Sequence, residues 1–319
     1  MPFTKYLSPF VRMITSEAVE LFLSLADSVP RHIAQNILMG ISPLKGITRY
    51  WHHTGMEGDP HKVLPVLATL MRMSSLGGHV IKDEVVAEIG PGQTPNLLYA
   101  AFLFGAHRVI GFDTVEYLDT STSNVEAVKS TEIWIRAAIE CNVLPEGFSI
   151  RKNNYRNFNT LPPGIFDIRR YDGHRLPIED ESIDLIWSKS VLEHVKNYGV
   201  LINEMTRVMK RGGAMCHIID LRDHYTLSNA KDWLRFLRYS EYQWDMMASN
   251  RSSWCNRLRA PEWLDAFKKA QLKLVYKEYI RQAFHPDFYR EQLAERFKHF
   301  SDEDLKVSWL YIVCKKLQG

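Results

Sequence analysis

The chain has 319 residues, 45% of them hydrophobic, and a net charge of +3 set by 40 basic and 37 acidic side chains. That is enough apolar material to bury a full core with an appendage, and no basic block stands out, so the balance argues against a nucleic-acid partner. Cys141, Cys216, Cys255 and Cys314 are scattered with no Cys-x-x-Cys pair. Neither a zinc site nor a disulfide framework is expected, and a reducing cytoplasm suits such a chain. The start Met1-Pro-Phe-Thr-Lys-Tyr-Leu lacks a signal-peptide pattern, and no run of about 18 apolar residues occurs, so no integral membrane segment is expected.

From about Ser16 to Met39, apolar positions such as Val19, Phe22, Leu25, Ile33 and Ile37 predict two helices broken near Pro30. Preceding the first strand, they are expected to form a cap outside a sheet, or a homo-oligomer contact. The stretch Gly46 to Gly55, with Tyr50, Trp51, His52 and His53, is expected either to line a substrate mouth or to plug the gap between cap and sheet. A helix over Lys62 to Met73 leads through Gly77 and Gly78 to the stretch Val85-Val86-Ala87-Glu88-Ile89-Gly90-Pro91-Gly92-Gln93-Thr94-Pro95. It reads as a buried strand, a glycine turn, and a helix start with Thr94 capping and Pro95 at the first position. Such a turn offers backbone amides and the positive end of a helix dipole, and a nucleotide-like cofactor is its natural occupant. Arg108 to Asp113 is the second strand, ending in a carboxylate roughly 20 residues past the turn, where such folds hold a ribose; Asp113 is the expected ribose ligand.

A helix follows over about Val125 to Cys141, then a polar segment with Pro145, Gly147, Pro162, Pro163 and Gly164. Phe166 to Tyr171 is the third strand, and it delivers Asp172 to the ligand crevice. Ile183 to Trp187 is the fourth, ending at Ser188. The helix with Leu201, Met205, Val208 and Met209 on one face is expected to stop at Gly212 and Gly213. The fifth strand, from Ala214, carries His217 and Ile219 on one face and Cys216, Ile218 and Asp220 on the other, with Asp223 and His224 just past its end. Residues 225–260 contain Trp233, Phe236, Tyr239, Tyr242, Trp244 and Trp254 and read as an inserted aromatic-rich lid, whose rings either stack on a substrate or pack on one another. A short helix at Pro261 to Ala270 and strands at Leu272 to Ile280 and Lys306 to Lys316 finish the chain.

In order, Glu88-x-Gly90-x-Gly92, Asp113, Tyr171-Asp172-Gly173-His174-Arg175-Leu176-Pro177 and Ser182-Ile183-Asp184-Leu185-Ile186-Trp187-Ser188 resemble the class I S-adenosylmethionine-dependent methyltransferases over about residues 80–220. Glu204 to Gly213 and Val191 to His194 are similar to further segments of that family. Thr94 stands where the family often has a third glycine, and Pro95 takes the place of the last glycine of the dinucleotide fingerprint. The resemblance implies an α/β, Rossmann-like sheet of seven strands, mostly parallel with an antiparallel C-terminal hairpin and helices on both faces. It implies a cap at 1–80 and a methyltransferase domain at 81–319. S-adenosyl-L-methionine is the implied cofactor, with S-adenosyl-L-homocysteine as product, and Glu88, Gly90, Gly92, Thr94, Asp113, Asp172, Gly173 and Ser188 around it. Asp172 would accept from the adenine amino group, Gly173 would meet a ring nitrogen, and Ser188 would lie near the reacting methyl group or under the adenosine.

Past the fifth strand, His224, oriented by Asp223 or Asp220, is the candidate general base for a small-molecule acceptor, oxygen before nitrogen. The acceptor looks similar to those of saccharide or secondary-metabolite biosynthesis. No metal is expected, because alternating strand directions spoil a site built from His217, Asp220, Asp223 and His224. His194 is expected to hydrogen-bond backbone rather than face the site. An NAD-dependent oxidoreductase on a similar sheet and a binding module without chemistry are the alternatives.

Overall fold

The computed structural model describes residues 32–33, 36–37, 40, 60–92, 94–114, 124–146, 148–150, 164–224, 232–250 and 254–318. The expected helices at 16–39 lie outside the described residues apart from helical turns at 32–33, 36–37 and 40, and the aromatic stretch at 46–55 lies wholly outside them.

Seven strands form one sheet in the order β3-β2-β1-β4-β5-β7-β6. They are β1 Val85–Ile89, β2 Arg108–Asp113, β3 Phe166–Arg170, β4 Ile183–Lys189, β5 Met209–Asp220, β6 Lys273–Arg281 and β7 Val307–Lys315. The first five are parallel; β7 runs antiparallel to both β5 and β6. The sheet is the expected one, a Rossmann-like α/β fold. Helices α1 Pro60–Leu76, α2 Asn96–Leu103 and α3 Asn124–Glu140 share one apolar cluster, and α4 Tyr198–Val208 and α6 Ala260–Lys269 share another. Successive strand residues divide between the two clusters. Val86, Val109 and Leu185 belong to the first, while Ala87, Ile110 and Ile186 belong to the second, which is the period of two that a strand buried on both faces requires.

Three local expectations change. Thr94 does not cap α2: the helix begins at Asn96 with Pro95 before it, and Thr94 instead accepts the Asn96 N–H through its backbone carbonyl at 2.8 Å. Gly212 and Gly213 do not end α4, which stops at Val208; both lie within β5. There Gly212 has φ +79°, and the register against β4 shifts between the Ile183 and Leu185 pairs, so the glycines serve an irregular strand entry. Helix α1 is not peripheral. Val63, Leu67, Leu70 and Met71 are fully buried in the sheet's first cluster, and Ser74 of α1 accepts the Trp187 indole N–H from β4 at 2.9 Å. It therefore lies in the sheet's own helical layer, although residues 1–80 read as a cap.

Of the expected lid, residues 225–231 and 251–253 are outside the described residues. The rest, with α5 Glu241–Ala248, forms a third apolar cluster in which Trp233, Phe236 and Trp244 pack with Leu293, Phe297 and Phe300 from the far end of the chain. Arg257 is buried under it, 5.3 Å from the Trp244 ring and 5.2 Å from Phe297, and pairs with Glu241 at 2.8 Å. Most of the segment's rings thus serve its own packing. Asn36 binds this unit too, donating to the Met246 carbonyl at 2.9 Å.

Candidate functional site

The glycine turn is shaped by left-handed backbone at two positions, Gly90 with φ +71° and Gly92 with φ +67°. The Gly90 N–H donates to the Phe112 carbonyl at 2.8 Å, which ties the turn to the end of β2. A Cβ at Gly90 would lie 2.5 Å from Val191 Cγ2, so the segment after β4 packs directly against the turn. The Gly92 N–H donates to Asp113 Oδ2 at 3.3 Å, bringing the acid that ends β2 to the loop. Glu88, one residue inside β1, is 5% exposed and its Oε2 is buried with no hydrogen-bond partner among the described residues. Burial, reinforced by the nearby Asp113 charge, pushes its carboxyl up to about 8. Glu88, Gly90, Gly92 and Asp113 are therefore brought together.

Asp172 and Ser188 follow strand ends beside that group, Ser188 in register with Ile89 and Asp172 one residue past Tyr171, whose N–H donates to the Asp113 carbonyl at 2.6 Å, but their side chains have partners of their own. Asp172 is exposed, and its Oδ1 accepts the N–H groups of His174 at 2.8 Å and Arg175 at 2.9 Å, which lowers its pKa. It caps its own turn, and Gly173 supplies the φ of +88° that turn needs. Ser188 is fully buried, its hydroxyl 2.7 Å from His217 Nδ1 on the neighbouring strand. The His217 ring stacks on Phe267 at 5.5 Å, and burial pushes its pKa down to about 3. Ser188 thus hydrogen-bonds within the layer between β5 and α6, at the carboxyl end of β4.

A second constellation lies past the ends of β4 and β5. A 3-10 turn at Leu192–His194 follows β4. Asn256 staples the 254–258 segment to it: its backbone N–H donates to the Glu193 carbonyl at 2.7 Å and its amide to those of Leu192 and Val195 at 2.9 and 3.2 Å. His224 Nε2 lies 3.1 Å from Asp220 Oδ2, and its Nδ1 lies 3.1 Å from His194 Nε2. His194 Nδ1 in turn reaches the Trp254 carbonyl at 2.7 Å. Two hydrogen bonds order the protons: His194 donates from Nδ1 to the carbonyl, so its Nε2 is an acceptor and His224 donates to it from Nδ1, while His224 Nε2 faces Asp220 as an ion pair without a hydrogen bond and makes the ring cationic when it too is protonated. Burial opposes the charge this puts on His224, but the Cys255 sulfur and the Asp220 carboxylate outweigh it and hold its pKa far above the usual histidine value. Burial and the His224 charge push His194 down to about 4. Asp220 is held below the usual carboxylate range against its burial by Arg222, with Nη2 at 2.7 Å, and by His224.

Residues 87–217 match the model of a family described as a methyltransferase domain. That span runs from β1 into β5, and over it the chain is similar to a methyltransferase domain. Among solved structures it is similar to an S-adenosylmethionine-dependent methyltransferase from Mesorhizobium loti, at 14% identity and a TM-score of 0.40, covering 74% of this chain and 92% of that one. It is also similar to geranyl diphosphate C-methyltransferase from Streptomyces coelicolor A3(2), at 14% identity, a TM-score of 0.43 and coverage of 77% and 78%. A third similar structure is an S-adenosylmethionine-dependent methyltransferase from Methanosarcina mazei, at 14% identity, a TM-score of 0.42 and coverage of 75% and 94%. No curated protein matches the sequence.

The chemistry at the turn fits S-adenosylmethionine. S-adenosylmethionine carries a sulfonium and an ammonium, and a buried carboxyl with an unpartnered oxygen beside a side-chain-poor loop suits a cationic, hydroxyl-bearing ligand. The base expected at His224 is modified. Its Nδ1 carries a proton donated to His194, and the carboxylate 3.1 Å from Nε2 is that of Asp220. Asp223 is buried nearby, its backbone N–H donating to the Trp233 carbonyl at 2.9 Å. Sequence reasoning missed the coming together of Glu193, His194 and Cys255. Cys255 is 61 residues from His194, and no pattern in the chain marks that pairing.

Proposed function

We propose that the enzyme moves the methyl group of S-adenosylmethionine to a hydroxyl of a small molecule, with an amine as the less favoured acceptor, in the biosynthesis of a saccharide or secondary metabolite in the cytoplasm. The observation that carries the cofactor half is the contact between Gly92 and Asp113 beside the unpartnered Glu88 oxygen. In this reading Glu88 faces the cationic part of the cofactor, Asp113 takes the ribose hydroxyls, and the backbone of Gly90 to Thr94 lies along the ligand. Asp172 and Gly173 border the adenine, with Asp172 using the oxygen not occupied by its own turn.

The sulfonium methyl is already activated, so most of the protein's work is to align the nucleophile and exclude water, worth about 7–11 kcal/mol in favourable cases. The acceptor's proton leaves to His224 Nδ1, once that nitrogen has parted from His194 and released its own proton to solvent. Asp220 keeps the ring oriented throughout, with Asp223 beside it.

Calorimetry with S-adenosylhomocysteine tests the cofactor side: Asp113→Ala should bind at least about tenfold more weakly, because a charged hydrogen-bond acceptor is lost. Undiminished binding removes Asp113 from the site. His224→Ala should bind the cofactor normally and turn over on the order of a hundredfold more slowly against an acceptor panel. Binding of NADH in place of S-adenosylhomocysteine would return the chain to the oxidoreductase alternative.

A further inference from the structure

Past the ends of β4 and β5, His194 Nε2, His224 Nδ1 and Cys255 Sγ point toward one another, with all three atoms within 4.8 Å. We propose that these three atoms bind a divalent zinc-type ion, leaving one coordination position open. Two imidazole nitrogens, each about 2.0–2.1 Å from a tetrahedral zinc, lie roughly 3.3 Å apart. Here they are 3.1 Å apart. The proton that bridges them occupies the place a metal would take.

The outer contacts are those a metal site needs. A ligating histidine donates its other N–H to a carbonyl or carboxylate, which fixes the tautomer and the ring plane. His194 does so to the Trp254 carbonyl at 2.7 Å, and His224 Nε2 faces the Asp220 carboxylate at 3.1 Å as an ion pair, so in each ring the nitrogen left to ligate is the one facing the cluster. Cys255 is 2% exposed and lies one residue from the Asn256 staple, so its sulfur is fixed against the His194 turn. A separate observation points to a missing cation. Glu193, next to His194 in that turn, is 2% exposed, and both its carboxylate oxygens are buried without a hydrogen-bond partner among the described residues. A buried carboxylate left without partners is costly, and a neighbouring divalent ion compensates it.

The ligand set differs from the one the fifth strand suggested. His217 faces α6 and Asp220 lies in the outer layer, so only His224 is common to both. The proposal excludes the base role for His224, since a nitrogen that ligates an ion cannot also take the acceptor's proton, and the test reads metal rather than turnover. The full chain is stripped with chelator and titrated with Co²⁺. The expected result is about one ion per chain with a thiolate-to-metal charge-transfer band in the near ultraviolet and a visible spectrum of tetrahedral intensity. Zinc should bind in the same ratio and displace the cobalt. Cys255→Ser should lose the charge-transfer band, His194→Ala should weaken binding at least about tenfold, and Cys141→Ser, at an exposed thiol, should change neither. If wild-type protein shows no such band, or if Cys255→Ser keeps it, the site is not there. Should Cys255→Ser fail to fold, the wild-type band and its competition by zinc decide alone.

Discussion

Glu88 shows how one side chain couples cofactor site and stability. Its carboxyl is raised from the ordinary 4.5 to about 8, chiefly by burial, so between those values the folded protein holds a proton that the unfolded chain has released. Its stabilising contribution is complete below about pH 4.5 and is lost as pH rises through 8. The loss amounts to up to about 4–5 kcal/mol over that interval. Urea unfolding at stepped pH should therefore show wild type losing stability relative to Glu88→Gln as pH rises, and parallel profiles would refute the assignment. The residue scale is also where sequence reading was weakest. Asp172 and Ser188 have the residue types the family motif asks for, yet one binds its own turn and the other His217. A motif specifies a residue and its neighbours in the chain, whereas the direction of a side chain is set by what packs against it.

Among the elements, the turn between β1 and α2 is the most constrained. Gly90 combines φ +71° with Val191 at 2.5 Å from any added Cβ. Gly90→Ala should destabilise the protein by about 1–3 kcal/mol from backbone strain alone, with the clash added, and should weaken the cofactor. Val191→Ala in the same chain should recover the part due to the clash, and thermal unfolding of the single and double variants measures it. No recovery would mean that strain alone governs the site. Most strands were legible in the sequence because they are short apolar runs bounded by glycine or acidic residues. The entry to β5 was not: Gly212 and Gly213 look like a helix stop, and only pairing with β4 turns them into strand.

On the scale of the whole molecule, Arg259 joins the sheet to the aromatic unit. Fully buried, it donates to the carbonyls of Leu221 at 2.6 Å, Leu305 at 2.9 Å and Val307 at 2.6 Å. These are the exit of β5, the turn before β7 and the start of β7. Arg259→Leu would leave three buried carbonyls without partners, at about 1–3 kcal/mol each. A loss of 3 kcal/mol or more in chemical denaturation is expected, and a loss under 1 kcal/mol would show that water takes over those carbonyls. No helix among the described residues is long and apolar enough to cross a membrane, as the sequence had suggested.

The resemblance implied the seven-stranded, mostly parallel sheet; the sequence by itself determined most of the strands, the glycine turn and the acid that ends β2. Those follow from hydrophobic period and from residues a few positions apart, which are local properties of a chain. Only the tertiary structure decided that the aromatic segment packs on residues 293–300, that α1 belongs to the sheet, and that His194, His224 and Cys255 meet. Each of these joins parts of the chain at least about 30 residues apart, and which distant parts touch is settled by how the whole set of apolar faces is buried at once.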